Sequence, residues 1–297
     1  MPYFPLIPDA HGFSVSNAFA LAQAAELAYA DFAEIRRTTI RDWDFRECHC
    51  LEASETQAFV ATRHDAIVVA MRGTESKLED WVTDGNCSLV RGPLGGKVHA
   101  GFYEGLSHVW AELDDLVRQA TAREAKPVWI AGHSLGGALA ALAAARWLDQ
   151  GQSVQGVYTF GQPRSGDATF ARNFNFAIKP RAFRIVNDND FVTRVPPRAF
   201  GYSHAGTFMY LNDRGDLDSD VGWWDQFLDR WAGALDDIFE WMTEGLSDHR
   251  MTAYRDLIER LLPVLSEADE FSRNLGAFLR AASRHARPPR QPQRRAA

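Results

Sequence analysis

The hydrophobic pattern of the chain alternates between helical stretches and short apolar runs. An alanine-rich stretch predicts the first helix near residues 17–31. Two strands are expected at 56–62 and 66–72, and the second is almost continuously apolar, as is typical of a strand buried on both faces. Further strands are predicted at 127–131, 154–160 and 181–186, and further helices at 106–120 and 136–147. Strands that alternate with helices indicate an α/β fold, with a mostly parallel sheet that carries helices on both faces.

A Gly-His-Ser-Leu-Gly motif occupies residues 132–136, between the apolar run at 127–131 and the alanine-rich helix. The motif occurs often by chance, but its position at a strand-to-helix junction is the one that a nucleophile elbow requires. The tight turn strains the backbone of the serine, so small residues must flank it. The N-terminus of the following helix favours negative charge beside the serine. The pattern therefore predicts Ser134 as a nucleophile.

Several further segments follow one another in a recognisable order. They are Arg72-Gly73-Thr74 at a strand end, Trp81 with Asp84, KVHAGF at 97–102, GHSLGG at 132–137, FGQPR at 160–164, and VNDNDFV at 186–192 before a Pro pair. In this order they resemble the fungal-type triacylglycerol lipases, the class 3 lipases. The likeness spans about residues 17–210 and resumes near His249. It implies the α/β-hydrolase fold and hydrolysis of carboxyl esters through an acyl-serine intermediate.

A serine becomes nucleophilic when a base takes its proton and a carboxylate orients that base. In α/β-hydrolases the acid and then the base follow the serine along the chain. Asp188 and Asp190 both lie just after the strand predicted at 181–186. The residue pattern does not choose between them, because an aspartate in a polar turn is often only a turn former. The lipase resemblance favours Asp190, which occupies the family's acid position.

The histidines that follow Asp190 are His204, His249 and His285. His285 lies in a basic tail and is set aside. The segment around His204 resembles a family segment whose histidine is not the base, so we expect a structural role there. His249 opens a His-x-x-x-x-Tyr segment that resembles the family's last motif, which implies that His249 is the general base. His133 lies beside the nucleophile, but we expect it to point the wrong way to serve it.

Ester hydrolysis passes through a tetrahedral intermediate, whose oxyanion needs hydrogen-bond donors. The resemblance implies that Leu135 supplies one backbone N–H and Thr74 the second. Asp84 is expected to accept from the Thr74 hydroxyl and to fix its rotamer. Residues 75–83 occupy the place of a short amphipathic lid in the family, with three lid candidates on one apolar face: Leu78, Trp81 and Val82.

Two segments depart from the α/β pattern. Residues 211–248 are acidic and rich in tryptophan, and apolar residues three and four apart between Trp224 and Met242 predict an amphipathic helix. Packing against the flank of the sheet is one interpretation, and capping of an acyl-binding groove is the other. Residues 283–297 are rich in arginine and proline, and we expect them to be disordered. We therefore predict one domain over 1–282, with 211–248 as an insert.

Composition narrows the class of function. A formal net charge of −7 argues against a nucleic-acid partner. The three cysteines form neither a dense disulfide framework nor a Cys-x-x-Cys metal pair, and no metal or organic cofactor is implied. We see no classical signal peptide and no apolar run long enough for a transmembrane helix, so a cytoplasmic location is expected, with secretion by another route as the alternative.

The sequence thus predicts a serine ester hydrolase of the lipase or esterase kind, with an ester or lipid substrate that it could meet at an oil–water interface. A phospholipase, thioesterase or acyltransferase on the same site is the alternative within enzymes. A non-catalytic lipase-like interaction module is the alternative from another class. The combination of Ser134, Asp190, His249 and Thr74 argues against that module, because a scaffold has no need of all four.

Overall fold

The structure is a computed structural model that describes residues 3–73, 87–187, 190–212, 217–218 and 249–262. Several predictions therefore lie outside the described residues. They concern Thr74, Asp84, the lid candidates (Leu78, Trp81 and Val82), nearly all of the 211–248 insert and the 283–297 tail. These predictions, and the single domain over 1–282, stay predictions.

Six α-helices occur within the described residues, and each predicted helix there is confirmed. They are α1 (Val15–Leu27), α2 (Phe32–Arg37), α3 (Ala100–Arg123), α4 (Leu135–Asp149), α5 (Ala168–Ile178) and α6 (residues 251–262). Caps fix several of their starts. The side chains of Ser14, Asp31 and Asp167 accept backbone N–H groups of α1, α2 and α5, respectively. A π-helical turn (Thr38–Asp42) follows α2 directly.

The main sheet has eight strands within the described residues, and its centre is parallel. In spatial order the strands are β1 (Glu47–Ala53), β2 (Thr56–Thr62), β3 (Ile67–Arg72), β6 (Val128–His133), β7 (Gly156–Phe160), β9 (Ala182–Asn187), β11 (Thr207–Leu211) and β12 (Leu217–Asp218). The pairs from β3 to β11 are parallel, whereas β1–β2, β2–β3 and β11–β12 are antiparallel. This is the mostly parallel sheet of the α/β-hydrolase fold, as predicted.

Both faces of the main sheet are covered by apolar side chains. Along β3, Val69 and Met71 pack in the layer beneath α3 and α4, whereas Val68 and Ala70 pack in the opposite layer with α1. Alternation between two buried layers explains why this strand is apolar at nearly every position.

A second, four-stranded antiparallel sheet was not predicted. It consists of β10 (Tyr202–Ser203), β8 (Gly166–Asp167), β5 (Lys97–His99) and β4 (Leu89–Arg91) in that spatial order. Each strand has only two or three residues, which is too short for an alternating pattern to be visible in the sequence.

Residues 3–14, which we call the N-terminal strap, run beneath the strands β6 and β7 without regular structure. The indole of Trp129 donates to the Pro8 carbonyl oxygen at 3.2 Å, and the Gln155 amide donates to the Ala10 carbonyl oxygen at 2.8 Å. The backbone N–H of Ser14 donates to the hydroxyl of Tyr158 at 3.1 Å. Side chains of the main sheet thus satisfy backbone groups of the strap.

Candidate active site

Ser134 stands at the junction between β6 and α4 with φ 55° and ψ −129°. A positive φ is uncommon for a residue with a β-carbon, and it persists only where the surrounding structure enforces it. The backbone N–H of Ser134 donates to the Phe160 carbonyl oxygen at 2.9 Å, which ties the turn to the end of β7. The predicted nucleophile elbow is therefore present in the backbone.

Two glycines make this elbow sterically feasible. A β-carbon on Gly132 would lie 2.2 Å from the carbonyl oxygen of Gly136, and one on Gly136 would lie 2.2 Å from the carbonyl oxygen of Met71. Both obstacles are main-chain atoms, which cannot swing away as a flexible side chain can. The turn therefore excludes any larger residue at either position.

Asp190 and His249 meet in a buried pair. The Nδ1 atom of the His249 imidazole lies 2.9 Å from Oδ2 and 3.0 Å from Oδ1 of Asp190. Asp190 is 1% exposed and His249 is 6% exposed. Burial by itself would raise the pKa of Asp190, but the charge and hydrogen bond of His249 outweigh it, so the pKa is lowered. The carboxylate therefore stays ionised and can orient the imidazole.

The other ring nitrogen of this imidazole, Nε2, makes no hydrogen bond to any described residue. His249 Nε2 and Ser134 Oγ are both buried, and neither has a hydrogen-bond partner among the described residues. A buried polar atom without a partner costs free energy and is often found where a reaction takes place. In enzymes without substrate, the hydrogen bond between nucleophile and base is frequently long and tightens only when the substrate binds.

Tyr254 is a residue of this site to which the sequence pattern gave no role. Its hydroxyl donates a hydrogen bond to Asp190 Oδ2 and accepts one from the Asn187 backbone N–H at 3.0 Å. Burial, followed by the negative charge of Asp190, holds the pKa of Tyr254 well above its usual value. The hydroxyl therefore remains a donor. The His-x-x-x-x-Tyr motif, which places Tyr254 five residues after His249, was the available signal.

Gly161 is a second residue whose importance was missed. It has φ +59°, and a β-carbon there would lie 2.6 Å from Asp190 Oδ2 and 2.9 Å from the His249 ring. The end of β7 thus passes directly against the acid–base pair, and only glycine permits that approach. The Phe-Gly-Gln-Pro-Arg segment carried this glycine, but the segment gave no indication of what the glycine would face.

The other histidines considered for the base have different neighbours. Burial, and then the positive charges of Arg184 and Arg164, hold the pKa of His204 well below its usual value. No hydrogen bond between His204 and Asp190 occurs within the described part of the chain. His133 Nδ1 contacts the hydroxyl of Tyr29, and its Nε2 contacts the carbonyl oxygen of His249, so its ring nitrogens are engaged away from Ser134. Asp188 lies outside the described residues.

Leu135 is the first residue of α4 and is buried. The backbone N–H groups in the first turn of a helix have no acceptor within that helix, and they bear a partial positive charge. A β-carbon on Gly73 would lie 2.3 Å from the Leu135 side chain, so the end of β3 packs closely against the start of α4. Thr74, the next residue, lies outside the described residues.

Metal ligation has no support from the described residues. Within them, no three side chains of His, Cys, Asp or Glu come together in a group that could hold a metal ion. The arrangement of Ser134, His249 and Asp190 is suited instead to proton transfer and nucleophilic attack by a serine.

Comparison with known proteins identifies relatives of this chain. Residues 68–200 match the family model described as lipase (class 3). The chain is 38% identical over 173 residues to a secreted mono- and diacylglycerol lipase 1 from Fusarium solani, which covers 55% of this chain and 49% of the relative. It is 37% identical over 172 residues to a lipase from Rhizomucor miehei, covering 54% and 46%. The chain thus spans about half the length of the curated relatives it matches.

A solved triacylglycerol lipase, described as having a serine protease triad as its catalytic centre, has a similar structure. It superposes with a TM-score of 0.54 at 28% identity, covering 69% of this chain and 85% of that one. The fold expected from the sequence is therefore confirmed, and so is the resemblance to class 3 lipases.

The expected cytoplasmic location is wrong. Relatives from Fusarium solani and Malassezia restricta are named as secreted enzymes. The expectation rested on the first residues of the sequence, which do not decide the location. Within the described part of the chain, no helix is both long and apolar enough to cross a membrane.

Proposed function

We propose that this chain, whose residues 68–200 match the class 3 lipase family model, is a carboxyl-ester hydrolase that acts through Ser134, His249 and Asp190. One observation carries the proposal. The His249–Asp190 hydrogen bond is buried, and neither Nε2 of the same ring nor Oγ of Ser134, which has a nucleophile-elbow conformation, has a hydrogen-bond partner within the described residues. Most buried side-chain polar atoms have a hydrogen-bond partner, so an unpaired Nε2 on a ring whose Nδ1 contacts a buried carboxylate favours a catalytic role.

In the proposed reaction, Nε2 of His249 takes the proton of the Ser134 hydroxyl while Oγ attacks the ester carbonyl carbon. The resulting imidazolium is stabilised by the ionised Asp190, which accepts the Nδ1–H hydrogen bond. His249 then returns the proton to the leaving alcohol, and an acyl-Ser134 remains. Water, deprotonated by the same base, hydrolyses the acyl-enzyme and restores the serine.

The oxyanion of each tetrahedral intermediate is proposed to bind at the start of α4. Leu135 would donate its backbone N–H there, where the dipole of the helix also favours negative charge. Thr74 would supply the second donor, and Asp84 would orient its hydroxyl. The close packing of Gly73 on Leu135 supports this assignment, because it brings the end of β3 to the start of α4.

The proposed substrates are acylglycerols or simpler carboxyl esters, met outside the cell. The names of the relatives support this choice, since they include a secreted mono- and diacylglycerol lipase and a triacylglycerol lipase. All three acylglycerols share an ester of a long acyl chain with an alcohol as the leaving group. The proposed reaction acts on that ester bond.

Substitution of the nucleophile tests the proposal. Ser134→Ala should lower kcat on p-nitrophenyl esters on the order of 10⁴- to 10⁶-fold, because the remaining groups cannot form an acyl-enzyme. A fluorophosphonate probe should label the parent protein at Ser134 and leave the variant unlabelled. Ser107→Ala, an exposed serine on α3, is the control and should match the parent protein.

An acyl chain-length series, run beside emulsified mono-, di- and triacylglycerol, assigns the substrate class. Hydrolysis of the acylglycerols by the parent protein and not by Ser134→Ala is the expected result. Fluorophosphonate labelling that persists in Ser134→Ala would contradict the assignment of the nucleophile.

A further inference from the structure

His133 forms a bridge between the first helical region of the chain and the main chain of His249. The hydroxyl of Tyr29, just after α1, lies 2.8 Å from His133 Nδ1. His133 Nε2 lies 2.5 Å from the carbonyl oxygen of His249. The two imidazole rings are adjacent and tilted, with centroids 4.6 Å apart and planes at 33°. His133 is 1% exposed, so its ring is shielded from bulk solvent.

The chemistry of the two partners fixes the tautomer of His133. A carbonyl oxygen can only accept a hydrogen bond, so Nε2 must carry the proton and donate it. Nδ1 is then unprotonated, and its lone pair accepts a hydrogen bond from the Tyr29 hydroxyl. Burial, and then the nearby His249, lower the pKa of His133 to about 3. The ring is therefore neutral, with one donor and one acceptor, and each is matched to a partner.

We infer that His133 is a positioning residue for the general base, holding the main chain of residue 249 so that its imidazole stays between Asp190 and Ser134. The inference rests on the proposed function. Asp190 holds the imidazole only through Nδ1, and this contact does not fix the backbone of residue 249. The bond from His133 to the His249 carbonyl fixes the backbone from which the ring extends.

His133 precedes the nucleophile directly in the sequence, and this adjacency couples the positions of Ser134 and His249. His133 and Ser134 are consecutive residues at the end of β6. The same strand end therefore places the nucleophile and supports the main chain of the base. Any small movement of β6 carries both together, so the separation of Ser134 Oγ and His249 Nε2 is less sensitive to such movement.

Tyr29 is held in turn from the main sheet. The guanidinium of Arg72, at the end of β3, lies 4.9 Å from the centroid of the Tyr29 ring. Its Nη1 donates to the side-chain oxygen of Gln57 on β2 at 2.6 Å, which limits the movement of the guanidinium. Contacts from β3 and from the end of α1 thus converge on His133.

The neutral state of the His133 ring also favours the proposed reaction at His249. During the proposed reaction His249 becomes an imidazolium beside the negative Asp190. A neutral His133 adds no repulsion to that charge, whereas a protonated ring at 4.6 Å between centroids would oppose it. The low pKa of His133 therefore suits its position.

Three variants test the inference on a soluble p-nitrophenyl ester. His133→Leu removes both hydrogen bonds at similar volume, and should lower kcat by about 10- to 100-fold while KM changes by less than about twofold. His133→Gln places an amide nitrogen near the position of Nε2, and should recover most of the lost kcat. Tyr29→Phe removes one hydroxyl from a half-buried side chain, and should cost about 3- to 10-fold in kcat. Thermal unfolding confirms that each variant is folded.

Combination with His249→Ala separates positioning of the base from a general effect on the elbow. Residual activity of His249→Ala does not depend on an imidazole at residue 249. Adding His133→Leu or Tyr29→Phe to that background should therefore change the residual rate by less than about twofold. The same loss in both backgrounds would overturn the inference, because His133 would then act on Ser134 or on stability.

Failure of the positioning role and failure of the proposed function would give different results in these experiments. If Ser134→Ala or His249→Ala retains the parent activity, the proposed function itself is wrong. If both are inactive while folded His133→Leu and Tyr29→Phe keep the parent kcat, only the positioning role is wrong. Loss of kcat in His133→Leu without recovery in His133→Gln would also overturn it, because the donor to the His249 carbonyl would then be irrelevant.

Discussion

Ser134 and His249 are held in place by two different kinds of structure. Ser134 is fixed by its main chain, with a positive φ and two glycines that leave no room for a β-carbon, and its hydroxyl has no partner among the described residues. His249 is fixed by hydrogen bonds, to Asp190 through its side chain and to His133 through its carbonyl oxygen. The nucleophile half is held mainly by steric exclusion and the base half mainly by polar contacts, with Gly161 as the one steric constraint described on the base side.

The two halves of the site should therefore lose function in different ways. A β-carbon about 2 Å from a main-chain atom cannot be tolerated in place. The clash must shift one of the backbone elements, so a small change in the side chain has a large effect. Hydrogen bonds can be removed singly, and each removal weakens the position of the imidazole by a limited amount. We therefore expect graded losses on the base side, except where the carboxylate itself is changed, and a combined loss of stability and activity on the nucleophile side.

Asp190→Asn should have the largest effect. The amide can stay in place, but it can hold the wrong tautomer of His249 and cannot stabilise the imidazolium, so kcat should fall by about 10⁴-fold. Steady-state hydrolysis of a p-nitrophenyl ester measures the loss, with Asp115→Asn on the exposed face of α3 as the control. A folded Asp190→Asn within about tenfold of the parent kcat would remove Asp190 from the proposed machinery.

Gly136→Ala should be next, and should affect stability and rate together. Its β-carbon would meet the Met71 carbonyl oxygen at 2.2 Å, so the start of α4 must move away from β3. We expect a loss of about 1–3 kcal/mol in the free energy of unfolding and about 10²-fold in kcat. Urea unfolding and ester hydrolysis measure the two losses.

Gly137→Ala is the matched control for this turn. The nearest atom to its β-carbon is the Gly132 carbonyl oxygen at 3.1 Å, which a small adjustment relieves. Gly137→Ala should therefore cause a smaller loss than Gly136→Ala in both the free energy of unfolding and kcat. Equal losses in the two variants would show that the elbow tolerates no alanine in general, and that the contact with Met71 is not the cause.

Tyr254→Phe should have the smallest effect. It removes one donor to Asp190 and leaves the His249–Asp190 hydrogen bond in place, so kcat should fall by about 3- to 10-fold. The Asn187 N–H also loses its acceptor, which should cost about 1–2 kcal/mol of stability. Tyr3→Phe, at an exposed position, is the control for the loss of a hydroxyl. A loss in kcat as large as that of Asp190→Asn would show that the acid–base half is not graded.

Much of the fold was predictable because its signals are local. The almost continuous apolar run of β3 reports burial on both faces, and the junction of an apolar strand with an alanine-rich helix indicates the elbow at Ser134. For Asp190 and His249, residue patterns left alternatives open, and the lipase resemblance chose between them. The structure brings these two residues together, whereas their catalytic roles stay predictions.

The contacts that were not predicted are long-range or lack a pattern. Tyr29 meets His133 across 104 residues, and no periodicity in either segment indicates that contact. Gly161 is small because of what lies opposite it, and the identity of that neighbour is visible only in three dimensions. The small antiparallel sheet consists of strands too short to have a period.

The N-terminal strap has a consequence for how this chain folds as it is synthesised. Its hydrogen bonds with Trp129, Gln155 and Tyr158 join residues 121 to 146 positions apart in the sequence. The strap is synthesised before β6 and β7, so these contacts must wait until both strands have followed it. During that interval Phe4 and Leu6, both buried in the final structure, have no completed core to enter. Closing contacts of such long sequence separation is slow, so docking of the strap should be a late event in folding.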